Sequence, residues 1–253
     1  MSPDRRKHRG AHGEDGALFG PEQLAILREA TADLSWLLSR QYSQNSSLKV
    51  VGDRYGLRDR QRLAVSRAAC SDSQLEARPR SRVEVSNLAG SPVVIDGFNL
   101  LITIEAALSG GVLIIGRDGC VRDLSSVHGS YRSVEETEAA LELAGLALRG
   151  AGVSSATWVL DKPVSNSGRL ATRIRDYASS SGFAWEVELA MNPDRELIAA
   201  DQIVVSSDSV VLDHAARWTN LAFHIVENYV PDRWMLDFRR TPPAETQTGL
   251  RQV

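Results

Sequence analysis

Four aspartates carry the pattern with the most chemical content. In VVIDGFN, residues 93–99, three apolar residues run without interruption into Asp96, Gly97 breaks the run, and Asn99 follows. The pattern recurs in ATWVLD, closed by Asp161, and in QIVVSSD, where Ser206 and Ser207 lead to Asp208. A fourth acid, Asp194, stands in MNPDREL, in what reads as a loop after a further strand-like run. An unbroken apolar run suits a strand covered on both faces, and in an open parallel sheet ligands bind beyond the carboxyl ends of the strands. A lone Asp after a strand is commonly a turn or cap residue, so it is the repetition that points to a site. Carboxylates gathered at one edge repel one another unless cations are present, and hard oxygen ligands favour Mg²⁺ or Mn²⁺ over zinc. The matching chemistry is metal-assisted hydrolysis of a phosphodiester, with water attacking in line.

The elements that must position these acids can be read on either side of them. Residues 93–95, 156–160, 183–189 and 202–205 read as strands, and helical patterns separate them. Residues 111–124 hold two strand-like segments around Arg117-Asp118-Gly119, a strong hairpin signal that makes Asp118 a turn residue. Ser133 and Glu136 have capping-box spacing at the head of an Ala/Leu/Glu helix that Gly150 stops. Ser165, Asn166 and Ser167 stand where a helix start could meet a phosphate or simply be capped. Asp123 and His128 have no evident place in this scheme. The expected fold is α/β, a Rossmann-like, mostly parallel sheet with flanking helices and a hairpin excursion, preceded by a small all-helical domain.

In the N-terminal part, residues 1–19 are Gly-, His- and charge-rich without hydrophobic period, which predicts a disordered tail. Residues 20–72 then read as a helical domain, with Leu24, Leu27, Leu34, Leu37 and Leu38 at helical spacing behind Pro21. A short helix, a turn at Gly56 and a helix carrying Arg58, Arg60, Arg62 and Arg67 invite a helix-turn-helix reading. Its apolar anchor is sparse. The plainer alternative is a small helical domain whose arginines are solvated or pair with Asp53 and Asp59, and between the two lies a face that grips phosphates without reading sequence. Residues 73–90, with Arg78, Pro79, Arg80 and Arg82 among polar residues, read as a linker; residues 91–238 form the α/β domain, and 239–253 a second disordered tail.

Residues 1–90 hold 15 Lys/Arg against 11 Asp/Glu and residues 91–253 hold 14 against 21, so the net −3 of the chain divides into +4 and −7. A nucleic-acid grip joined to a carboxylate site would give that division, and so would ordinary solvated faces. No apolar run approaches membrane-spanning length, and no apolar segment follows the basic N-terminus, so neither a membrane nor a secretory role is expected and the cytoplasm is the expected compartment. Cys70 and Cys120 are too few for a disulfide framework or a thiolate zinc site.

VVIDGFN, WVLD and VVSSD in this order resemble the PIN-like superfamily of nucleases, especially its NYN branch, over residues 91–230. The resemblance implies Asp96 and Asp208 as metal ligands and catalytic acids, Asp161 as the middle acid, Asp194 in the remaining acidic position, and Asn99 and Ser207 as positioning residues. Glu105 could supply a further ligand, against the plainer alternative of an exposed helix residue. The whole chain, including KVVGDRYGLRDRQR and LDKPVSNSG, also resembles an uncharacterised prokaryotic family that joins a short helical domain to a PIN-like one. The expected function is a Mg²⁺- or Mn²⁺-dependent nuclease with RNA favoured over DNA, and a homodimer is a possible assembly. The alternative is a non-catalytic nucleic-acid-binding or regulatory protein led by the Arg-rich helix. A small-molecule Rossmann binder ranks last, since no G-x-G-x-x-G follows any strand.

Overall fold

The leucines of residues 21–39 recur at helical spacing behind a proline that suits a first turn, and they form the longest helix of an N-terminal layer. A computed structural model describes residues 8–125 and 131–239, which places His128 outside the described residues. The layer consists of α1 (Asp15–Leu18), α2 (Pro21–Ser39), α3 (Gln44–Arg54), α4 (Asp59–Ala68) and α5 (Asp72–Ser81). Leu27, Ala30 and Leu34 of α2 pack with Leu57, Ala64 and Val65, while Gly56 turns the chain between α3 and α4 at a φ of 60°.

Two segments expected to lack structure are built into this layer. In residues 8–19, Asp15 is wholly buried because Arg60 clamps its carboxylate, and Phe19 enters the core. Composition concealed this anchoring: ion pairs to distant residues, Arg9 with Glu105 and Asp15 with Arg60, and one buried aromatic hold a segment that has no hydrophobic period. Residues 73–81 are helix α5 rather than linker, opened by a capping box in which Ser71 Oγ accepts from Gln74 N at 3.2 Å and Gln74 Oε1 accepts from Ser71 N at 2.8 Å. The anchor of α5 is a buried arginine, Arg78, which no apolar pattern reveals.

The rest of the chain runs β1 (Pro92–Asp96), α6 (Gly97–Leu108), β2 (Val112–Ile115), β3 (Val121–Asp123), α7 (Thr137–Gly150), β4 (Ser155–Asp161), α8 (Ser167–Ser181), β5 (Trp185–Ala190), α9 (Pro193–Ala199), β6 (Ile203–Val205), α10 (Ser209–His214), β7 (Trp218–Thr219), α11 (Leu221–Tyr229) and β8 (Trp234–Asp237). Five strands pair in parallel in the order β5-β4-β1-β6-β7. The unbroken VVI of β1 is buried on both faces, as expected of the central strand: Val93 and Ile95 face one hydrophobic cluster and Val94 the other. The chain fills one side of β1 with β4 and β5, then crosses to the other with β6 and β7. The reversal puts the crevice of the fold at the carboxyl ends of β1 and β6.

The hairpin excursion forms as expected, β2 and β3 antiparallel, and β8 joins β2 in parallel to make a second, three-stranded sheet. Alternation along β2 joins the two halves of the molecule. Leu113 and Ile115 face the α/β core, while Val112 and Ile114 face the N-terminal helices. The helical layer is thus the cover of the second sheet, not a detached domain. Helix α6 is apolar nearly all round and packs against strands of both sheets. Among the described residues no helix is long and apolar enough to cross a membrane.

A buried charge network fastens the layer. Arg78 pairs with Asp118 and, at 2.8 Å, with Asp213 on α10, and Arg122 Nη2 reaches the same Asp118 at 2.7 Å. Asp118 is thus a turn residue, as expected, and also the hub of the network. Removing one partner of a buried pair leaves an uncompensated charge, so Arg78→Ala should lower unfolding free energy by about 3–5 kcal/mol, whereas Arg80→Ala at an exposed site of the same helix should change it by less than about 0.5 kcal/mol. Urea unfolding of the two variants measures the difference.

Candidate functional site

Asp96 is the last residue of β1 and caps α6, its Oδ1 accepting from Asn99 N at 3.4 Å. The helix begins directly at Gly97, where the space is tight: a Cβ would lie 2.5 Å from Leu160 Cδ2 and 3.1 Å from the Val159 carbonyl of β4, so β4 would have to give way. The chain leaves β6 through Ser206, Ser207 and Asp208, and the last of these caps α10, its Oδ1 accepting from Val210 N at 2.8 Å and Val211 N at 3.2 Å. Asp161 ends β4, with Val159 opposite Asp96 in the β1–β4 register. Asp194 lies in the first turn of α9, which Asn192 caps, so the segment expected to be a loop is helical.

Side-chain hydrogen bonds lock the β1 and β6 ends together. Asn99 Oδ1 accepts from both the amide and the hydroxyl of Ser207 at 2.9 Å, which joins the two expected positioning residues to each other. Ser206, not singled out from sequence, is the second clasp: its hydroxyl donates to Asp96 Oδ2 at 2.8 Å and accepts from Asp208 N at 3.0 Å. Arg122 was missed as well. It lies buried in β3 and donates through Nε to the Ser207 carbonyl at 2.8 Å, so the hairpin excursion braces the β6 turn. The Ser-Ser-Asp sequence is the one signal that could have pointed to Ser206.

Asp96, Asp161 and Asp194 line one cleft of about 340 Å³, with Phe98 and Met191 on its walls. Burial pushes the Asp96 carboxyl up to about 7, with Asp208 and Asp194 adding to the rise. Asp194 is also raised, by burial and then by Asp208 and Asp161. Asp96 and Asp194 are thus each raised in part by neighbouring acids of the group. None of the four acids forms an ion pair with a described Lys, Arg or His, and the buried Oδ1 of Asp161 has no hydrogen-bond partner. Asp194 is exposed and the other three are half-buried; the carboxylates that lie deepest in the protein behave differently, since Asp15, Glu105, Asp118 and Asp123 each meet an arginine. Among the described residues no three His, Cys, Asp or Glu groups close into a ready-made ion cage. An orphaned buried carboxylate oxygen and two acids raised by burial and by neighbouring carboxylates are nevertheless what a divalent cation with part of its water shell would relieve, so these residues could hold Mg²⁺ or Mn²⁺.

The remaining candidates lie elsewhere. Glu105 is fully buried rather than exposed, and its carboxylate is taken by Arg9, by Tyr131 Oη at 2.6 Å and by Thr137 Oγ1 at 2.7 Å, away from the acid cleft. Arg60 holds Asp15 and the Leu124 carbonyl, Arg62 holds Asp53 at 2.8 Å, and Arg67 holds the Asp123 and Ser125 carbonyls. Of the four basic residues on this helix only Arg58 is exposed without such a partner. The arginines mostly serve the layer's own structure.

The chain belongs to the family described as Domain of unknown function (DUF5616), which matches residues 85–224. Residues 26–80 match a second family, Protein of unknown function (DUF434), so the boundary between the two falls at the end of α5. The chain is 31% identical over 186 residues to Uncharacterized protein MJ0935 of Methanocaldococcus jannaschii, covering 74% of this chain and 88% of that protein. No solved structure matches it.

The raised Asp96 carboxyl gives the site a pH signature. A carboxyl that titrates higher folded than unfolded favours the folded state while protonated, and this contribution is lost as pH rises from about 4 through about 7. In metal-free protein Asp96→Asn should flatten that fall and be more stable than the parent by roughly 2 kcal/mol above pH 8, with no advantage near pH 4. Urea unfolding across this range in EDTA measures it, and parallel curves for the two proteins would refute the buried, charge-crowded setting of Asp96.

Proposed function

We propose that this protein is a divalent-metal-dependent nuclease that hydrolyses phosphodiester bonds, acting on RNA in preference to DNA, and that its site is the carboxylate group Asp96, Asp161, Asp194 and Asp208. The observation that carries this reading is the contrast in pairing: among the described residues these four carboxylates have no cation partner, although Arg residues neutralise the deeply buried acids elsewhere. The order of motifs, similar to that of PIN-like and NYN nucleases, supports hydrolysis over simple ion storage and supplies the preference for RNA. The cytoplasm is the proposed compartment, supported by two buried, unpaired thiols whose burial raises Cys70 to about 11 and Cys120 to about 12.

In this reading Asp96 and Asp208, on either side of the crevice where the strand order reverses, would hold the ion. Mg²⁺ or Mn²⁺ bound there would acidify a water and stabilise charge on the leaving oxygen. Asp208 keeps one oxygen on the amides of α10, so its other oxygen is held in a fixed direction. Ser206 fixes the spacing of Asp96 and Asp208 by bonding to both residues. Asp161, with its unpartnered oxygen, and Asp194 are available to accept a proton from water or to share the ion.

Purified protein incubated with single-stranded RNA and Mn²⁺ should cleave it and should lose that activity in EDTA. Asp96→Asn and Asp208→Asn should each lower the rate on the order of 100-fold or more, and Ser206→Ala roughly 10-fold, the size usual for a residue that orients a ligand. Cleavage at parental rates by both Asn variants would refute the assignment.

A further inference from the structure

A second cavity, of about 480 Å³, adjoins the carboxylates on the other side of the β6 turn. Asn99, Ser207 and Asp208 form its inner wall, and α2 to α5 of the helical layer supply the opposite one. Phe98, next to the Asp96 cap, lines both this cavity and the acid cleft. We propose that this cavity is a nucleobase subsite, which takes one unpaired base of the strand while the adjoining phosphate lies over the carboxylates; the inference rests on the hydrolytic reading of that site.

The chemistry of the walls favours a flat, uncharged group over a phosphate. The arginines on the lining are already engaged: Arg78 by Asp118 and Asp213, Arg122 by Asp118 and the Ser207 carbonyl, Arg67 by two carbonyls. The lining also carries Asp123 and Asp208, so no surplus of positive charge remains to hold an anion. Phe98 and Ile102 give an apolar surface, and the Phe98 ring is held by the Tyr131 ring at 5.2 Å between centroids, so it stands as a fixed stacking face. Gln44 donates to Ser66 Oγ at 2.8 Å, which leaves its amide oxygen free to accept and the Ser66 hydroxyl free to donate. That pair matches the alternating donors and acceptors on a base edge. The helical layer thereby gains a role: it closes a pocket that the α/β half leaves open.

The test uses full-length protein and a labelled single-stranded oligoribonucleotide, with one abasic position moved stepwise along the strand. Binding is read by anisotropy in the Asp96→Asn chain, so that the strand stays intact, and cleavage is read in the parent with Mn²⁺. One abasic position should weaken binding roughly 5- to 100-fold, the range for one stacked base. Gln44→Trp, which fills the pocket from an exposed position on α3, and Phe98→Leu, which keeps apolar bulk without the aromatic face, should erase that position dependence, and Phe98→Tyr should keep it. A flat abasic profile, or one unchanged by Gln44→Trp, overturns the base subsite. A position-dependent profile in a protein that cleaves nothing sustains the subsite and overturns the hydrolytic reading. Cleavage with a flat profile does the reverse, and absence of both binding and cleavage overturns both.

Discussion

Four carboxylates held near one another beyond the ends of parallel strands, with no cation paired to them among the described residues, set the constraint on which this structure turns. Each added negative charge raises the cost of ionising its neighbours, and burial adds to that cost at Asp96. The fold tolerates the arrangement because the scaffold around it is over-determined. Asp96 and Asp208 are each fixed by helix-capping amides, and Asn99, Ser206 and Ser207 tie the two strand ends together. Gly97 allows α6 to start against β4 where the space for a side chain is tight. Such rigidity would let the carboxylates meet an ion without paying for rearrangement.

Away from the cleft the same chain handles buried charge in the opposite way. Asp118 sits between two arginines, Asp15 under Arg60, and Glu105 among Arg9, Tyr131 and Thr137. These pairs bind the helical layer, the hairpin and the α/β core into one body, and Arg122 extends the network to the carbonyl of Ser207. The β2 strand does the same with apolar contacts, giving alternate residues to each half.

Much of the α/β half was legible in the sequence because its signals are strong and local. An uninterrupted VVI is the pattern of a central parallel strand, and Arg-Asp-Gly between apolar runs marks a hairpin; both stand in the structure. The strand-end positions of Asp96, Asp161 and Asp208 followed from the same runs. What could not be read depended on partners distant in sequence. Glu105 reads from sequence as a further ligand or an exposed helical acid because nothing nearby announces Tyr131 or Arg9. Residues 73–81 looked like a linker because α5 is anchored by Arg78, whose acids lie 40 and 135 positions away. On the basic helix the plainer reading, arginines pairing with nearby acids, is met by Arg62 and Asp53, whereas the partners of Arg60 and Arg67, at Asp15 and at the Asp123 and Ser125 carbonyls, lie too far along the chain to be read. Ser206 was overlooked because its importance lies in joining two residues that only the sheet order brings together.

The central claim is that the strand-end acids share one divalent ion. A crystal soaked in Mn²⁺ and measured at the manganese absorption edge tests it most directly. The account predicts an anomalous peak in the crevice between β1 and β6, with carboxylate oxygens of Asp96 and Asp208 at about 2.1 Å. An empty crevice at saturating Mn²⁺, or a peak bound only by residues outside this set, would contradict it.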